Sequence, residues 1–192
     1  LEIPVKALIL AGGRSTRMGK DKALMLFGSK TFWQYLVEVA EEAGLEVLIS
    51  CRKDQENLFR HRLSVIPELF DSIGPMGGIL SAMITYPDNA WLVMACDMPE
   101  ITLATIKTIL NERNQTKDAT VFQLNNEHIE PLFAIWEPGI QKRMMLSFEE
   151  GAYSLKKILE KSNLNIIDVK DNLFAFNNIN TPDDYNKLIN GK

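Results

Sequence analysis

Cysteine and histidine occur only twice each in the 192 residues. Cys51 and Cys96 form no Cys-x-x-Cys pair, so a disulfide framework and a paired-cysteine zinc site are both excluded. A single disulfide between them is conceivable, but each adjoins an apolar run and reads as a buried free thiol in a reducing cytoplasm. His61 stands in Arg-His-Arg and His128 in a polar turn, and no Gly-x-Ser-x-Gly occurs, so nothing resembles a Ser–His–Asp device. Long apolar runs are missing too, which excludes a membrane-spanning helix. The opening Leu-Glu-Ile-Pro-Val-Lys is too short and mixed for a secretory leader. An excess of basic charge is also absent. Lys plus Arg total 21 against 25 Asp plus Glu, a net −4, which argues against a general nucleic-acid binder.

Hydrophobic residues make up 46% of the chain and charged residues 24%, enough for a core without staples and too apolar for disorder. The length fits one domain better than two. No linker, repeat or low-complexity tract interrupts it, so residues 1–192 are expected to form a single unit. Val5 to Leu10 reads as a buried strand ending in Ala11-Gly12-Gly13. A polar loop and a helix from about Thr31 follow, with Phe32, Tyr35, Leu36, Val39, Ala40 and Ala43 on one face and Gly44 as the stop. Glu46 to Ser50 is the second strand, completing a βαβ unit with parallel strands. Leu63 to Ile66, a helix through Met76, Ile79, Leu80 and Met83, and the strand Trp91 to Ala95 repeat the rhythm. That last run has no alternation, as expected of a central strand covered on both faces. After about residue 118 a hairpin-like pair (Ala119–Gln123 and Ile129–Trp136), two helical segments, a strand near Leu164 and a final helix from Pro182 are expected. The pattern is α/β and Rossmann-like, a mostly parallel central sheet with helices on both faces.

Chemistry concentrates after the first strand, where open α/β sheets place ligands. Gly12 and Gly13 let the backbone approach a ligand closely, and Arg14, Arg17, Lys20 and Lys22 outweigh Asp21 within nine positions. A local positive charge on an acidic chain points to an anionic partner, and a polyphosphate fits. The segment is neither a Walker A loop nor Gly-x-Gly-x-x-Gly. Asp97 emerges at the carboxyl end of the presumed central strand, beside the loop of strand one. A single carboxylate there suffices to hold Mg²⁺, which completes its octahedron with water and phosphate oxygens.

Leu10-Ala11-Gly12-Gly13, Arg17-Met18-Gly19 and Asp21-Lys22-Ala23-Leu24 together resemble the signature of nucleotidyltransferases with a nucleotide-diphospho-sugar-transferase-like fold. The similarity is greatest to the molybdenum cofactor guanylyltransferase family. Gly74-Pro75-Met76-Gly77-Gly78, Cys96-Asp97-Met98-Pro99, Glu130-Pro131-Leu132 and Asn178-Ile179-Asn180-Thr181-Pro182 extend it over nearly the whole chain. Related cytidylyltransferases typically carry Leu-Ala-Ala-Gly, so Gly12 favours the guanylyl branch. The resemblance implies transfer of GMP from GTP to the terminal phosphate of molybdopterin, with Mg²⁺ and release of pyrophosphate.

The same resemblance implies residue roles. Leu10, Ala11, Gly12 and Gly13 would supply backbone contacts to the nucleotide, with Ser50 and Asp71 near the base or ribose. Lys22 and Arg17 would act on the phosphates, Asp97 would bind nucleotide and metal, and Asn178 with Asn180 would hold the pterin. The part to about residue 118 would bind nucleotide and the remainder the acceptor. Glu130 replaces a histidine seen in some members. Thr181-Pro182 is also a helix N-cap and first-turn pair, which alone would explain part of the last motif. Molybdoenzymes or their chaperones are possible transient partners, with no nucleic acid and no membrane. Two alternatives stand beside this: cytidylyl or other nucleotidyl transfer to molybdopterin or a sugar phosphate, and a regulatory or assembly protein that binds nucleotide without turnover.

Overall fold

The computed structural model describes residues 2–12, 22–70, 72–124, 128–169, 178–179 and 181–190. Val5–Leu10 form β1, and their neighbours explain the unbroken apolar run. After β1 the described chain resumes in a short 3-10 turn, Lys22–Leu24, then a two-stranded hairpin, β2 (Leu26–Phe27) and β3 (Lys30–Thr31). Helix α1 (Phe32–Glu42) starts at Thr31, whose N–H is accepted by the Gln34 side chain at 2.9 Å. Strand β4 (Glu46–Cys51), the short helix α2 (Glu56–Phe59) and β5 (Ser64–Pro67) follow. Helix α3 (Pro75–Thr85) leads into β6 (Ala90–Ala95), which is buried at every position. Helix α4 (Leu103–Asn111) begins with Thr102, whose hydroxyl accepts from Thr105 N–H at 3.3 Å. The remainder comprises β7 (Ala119–Leu124), β8 (His128–Trp136), α5 (Gln141–Glu149), α6 (Leu155–Glu160), β9 (Leu164–Val169) and α7 (Pro182–Asn190).

Seven strands form one sheet in the order β5-β4-β1-β6-β8-β7-β9. β1 runs parallel to β4 and β6, β4 to β5, and β7 to β9, whereas β8 is antiparallel to both its neighbours. The expected mostly parallel sheet is therefore present. Period-two alternation divides the core. Ala7, Ile9, Val47, Ile49, Leu92 and Met94 pack with α1 and α4 on one face. Leu8, Leu48, Trp91 and Val93 pack with α3, α5 and α6 on the other. The segment before α1, read from sequence as a polar loop, contains the β2–β3 hairpin. Met25 there and Phe32 at the start of α1 are buried against Ile179 and Leu188 from the far end of the chain. Tyr185 of α7 donates its hydroxyl to Leu26 O at 3.0 Å, fastening the hairpin to that helix.

β1 is where the strand order reverses. Its chain leaves toward α1 on one face, and the chain from β5 reaches β6 through α3 on the other. The carboxyl ends of β1 and β6 therefore lie side by side, and the crevice at this edge is the usual ligand position in such sheets.

Candidate active site

The backbone beyond β1 is held at both sides. Ala11 N–H donates to Ser50 O at 2.8 Å, and Cys96 N–H donates to Leu10 O at 3.2 Å. Leu10 and Ala11 are thus held between the ends of β4 and β6, with Gly12 next in the chain. Gly13 and Arg17 lie outside the described residues, as do Asp71 and Asn180.

Across the crevice, Lys22 Nζ donates to Asp97 Oδ2 at 3.1 Å. Their side chains are 19% and 21% exposed, so water screens this pair only partly. Lys22 is placed by its neighbour Ala23, buried in the core under α1. Asp97 is placed by the end of β6, where Met98 N–H turns back to Ala95 O at 3.1 Å. Its other oxygen, Oδ1, is buried and has no hydrogen-bond partner among the described residues. A buried carboxylate oxygen without a donor is costly, and a cation or a ligand donor removes that cost. The donor set fits a hard divalent cation, with one carboxylate oxygen lacking a partner among the described residues.

The C-terminal segment reaches the same place. Ile179 N–H donates to Asp97 O at 2.8 Å, and Ile179 is buried. That bond brings Asn178 to the crevice, where its Oδ1 is a second buried acceptor without a partner among the described residues. Ser50 supplies a third orphan. Its side chain is fully buried, its Oγ has no partner among the described residues, and it faces the first turns of α3. A Cβ on Gly78 would lie 2.7 Å from Ser50 Oγ and 2.8 Å from Leu10 Cδ2, so this close approach of helix to strands requires glycine.

Two charged residues at this edge were not singled out in the sequence. Arg52 follows β4 and donates through Nη1 to Gly12 O at 2.8 Å. Glu68 follows β5 and lies over Gly12, such that a Cβ there would stand 1.8 Å from Glu68 Oε1. The signal that found Asp97, a charged residue just past an apolar strand, applies to both. Glu130, on β8, is buried, and burial raises its carboxyl above the usual range. Leu132 N–H, donating to Oε1 at 2.9 Å, and His128 oppose that shift, while the Asp97 charge adds to it.

A Rossmann-like sheet with Gly12, the Lys22–Asp97 pair and several buried acceptors gathered at one edge suits an enzyme that handles nucleotides. Residues 7–166 match the MobA-like NTP transferase domain, and the chain belongs to this family of nucleotidyltransferases. It is similar to the probable molybdenum cofactor guanylyltransferase of Pelotomaculum thermopropionicum, at 34% identity covering 92% of this chain and 88% of that protein. It is also similar to the molybdenum cofactor biosynthesis bifunctional protein of Synechocystis, at 31% identity over 97% of this chain. There the chain spans about half of the longer relative, 54% of its length. Among solved structures, the molybdopterin-guanine dinucleotide biosynthesis protein A of Archaeoglobus fulgidus superposes with a TM-score of 0.81 at 23% identity, covering 95% of this chain and 96% of that one. No helix among the described residues is long and apolar enough to cross a membrane.

Proposed function

We propose that the protein transfers GMP from GTP to the terminal phosphate of molybdopterin and releases pyrophosphate. The observation that carries this reading is the Lys22–Asp97 pair at the crevice, with Asp97 Oδ1 buried and unpartnered. An oxygen of the acceptor phosphate attacks the α-phosphorus of GTP. A new P–O bond forms as the bond to the β-phosphate bridging oxygen breaks, and the electron pair leaves with pyrophosphate. The acceptor is already anionic near neutral pH, so the chain needs no general base. Its task is to align two anions and offset their charge.

Lys22 supplies a fixed cation to the nucleotide phosphates. Leu10 to Gly13 present backbone to the nucleotide, and Arg17 adds charge to the same loop. Asp97 Oδ1 would hold Mg²⁺, whose charge offsets that building on the α-phosphate. Ser50 and Glu68 serve the base, and Asp71 is assigned the same task from its place in the sequence. The Glu68 carboxylate accepts only, which matches the N1–H and exocyclic amine donors of guanine. Asn178, near Asp97, holds the acceptor, a task the sequence motif assigns to Asn180 as well. The family relatives named for guanylyl transfer to the molybdenum cofactor support the substrate pair. In this reading the protein works in the cytoplasm as one domain, and passes its product to molybdoenzymes or their chaperones.

Incubation with Mg²⁺, molybdopterin and GTP, CTP or ATP in turn, followed by pyrophosphate release, tests the proposal. GTP is expected to support release well above the other two. Faster release with CTP would assign the cytidylyl reaction instead.

A further inference from the structure

A glycine offers no side chain by which a loop can be fixed, and it loses the most backbone freedom on ordering. The carbonyl is its remaining handle, and here it is held. Arg52 uses the two edges of its guanidinium on different partners. Nε and Nη2 donate to Asp54 Oδ1 and Oδ2 at 3.1 and 3.2 Å, a two-point grip on one carboxylate. Nη1 donates to Gly12 O at 2.8 Å. Arg52 itself is fixed at the backbone, since its N–H donates to Gln55 Oε1 at 3.2 Å. Its side chain is 27% exposed, whereas Asp54 is 72% exposed and on the outer side of the bridge. The opposite side of Gly12 is filled by Glu68, so the residue is held through its carbonyl and hemmed in at its Cα.

We propose that Arg52, braced by Asp54, is a positioning residue that fixes Gly12 before the nucleotide arrives. The inference rests on the nucleotide-binding reading of Gly12 above and deepens it. Backbone held in place in advance does not draw on binding energy to be fixed, so the benefit appears in nucleotide affinity. It does not appear in the bond-making step, because Arg52 is anchored on the loop and not on the reacting phosphates. Lysine cannot replace it fully. A single ammonium is a point donor and cannot grip Asp54 at two points while reaching Gly12 O in another direction.

The test is calorimetric titration of the intact protein with GTP and Mg²⁺, alongside steady-state transfer. Arg52→Ala is expected to raise the Kd and KM for GTP about 10-fold, the scale of one charge-assisted hydrogen bond, with kcat changed less than about 3-fold. Arg52→Lys should recover part of the affinity. Asp54→Ala should weaken binding in the same direction by a smaller factor, and the two substitutions together should fall short of the sum of their separate effects, because Asp54 acts on Gly12 through Arg52. A merely structural arginine would lower the thermal midpoint without this split or this non-additivity. Unchanged GTP affinity in folded Arg52→Ala overturns the proposal and leaves the functional reading intact. So do fully additive effects of the two substitutions. If Arg52→Ala does not fold, Asp54→Ala decides, and normal GTP affinity in that surface variant overturns the proposal. A wild-type protein that binds no nucleoside triphosphate overturns the proposal and the functional reading together.

Discussion

The carboxylate of Glu68 occupies the space that a side chain on residue 12 would need: a Cβ built on Gly12 would stand 1.8 Å from Glu68 Oε1 and 2.8 Å from its Cδ. Glycine at this position therefore does more than allow a tight turn. It admits an acidic side chain to the nucleotide loop, and the two positions act as a pair. Alanine at residue 12, the choice seen in the cytidylyl branch, is incompatible with Glu68 as it stands.

Gly12→Ala is expected to displace the flexible end of Glu68 at little cost to stability, because what must move is a side-chain tip and not backbone. The thermal midpoint should change by a few degrees at most, while GTP affinity falls about 10-fold or more through loss of an oriented acceptor. Glu68→Gln, which puts a donor among the acceptors, should weaken GTP relative to CTP. Titration of both variants with both nucleotides checks this. An unchanged GTP-to-CTP ratio in Glu68→Gln would remove Glu68 from base selection.

Lys22→Ala tests the cation facing the phosphates. A charge-assisted phosphate contact contributes roughly 1.5–3 kcal/mol, so GTP binding and transfer should fall about 10- to 100-fold. Lys117, which donates to Asn163 Oδ1 at 2.9 Å far along the chain, is the control and should have little effect when changed to alanine. Equal losses in both variants would mean that Lys22 acts only as general positive charge.

Much of this arrangement was legible from sequence, for a local reason. Buried parallel strands read as unbroken apolar runs, so β1, β4 and β6 and the residues just past them could be recognised without knowing what they touch. Asp97 was recognised in that way and Lys22 by its place in the family signature, and the structure brings the two within 3.1 Å. Arg52 and Glu68 were not found, because their meaning depends on strand order. Only when β4 and β5 lie beside β1 do the residues following them converge on Gly12. The β2–β3 hairpin was missed because Met25 and Phe32 are buried by Ile179 and Leu188, more than a hundred residues away in sequence. The Ile179 N–H bond to Asp97 O joins equally distant parts, so periodicity carried no sign of it.

Neither cysteine is in a disulfide and both are buried, which sets a chemical expectation independent of nucleotide. Burial, reinforced by Glu56 and Glu68, pushes the Cys51 thiol up to about 12 against the weaker opposite pull of Arg52 and Arg60. At pH 8 the folded protein therefore holds Cys51 as the unreactive thiol, well below its raised pKa. A thiol-disulfide reagent should label neither Cys51 nor Cys96 in the native protein and both in strong denaturant. Rapid native labelling of Cys51 would contradict the closed packing at the end of β4.

The most direct measurement compares wild type with Asp97→Asn. Asparagine keeps the shape and can still accept from Lys22, so the fold and thermal midpoint should be nearly unchanged. It loses the charge at Oδ1, the buried oxygen with no partner among the described residues. Pyrophosphate release and dinucleotide formation from GTP and molybdopterin should fall by at least about 100-fold, the scale of removing a transition-state electrostatic contact. Magnesium-dependent GTP binding, followed by calorimetry, should weaken in parallel. A folded Asp97→Asn protein that transfers GMP at near wild-type rate, with its magnesium dependence intact, would contradict the assignment of this crevice as the catalytic centre.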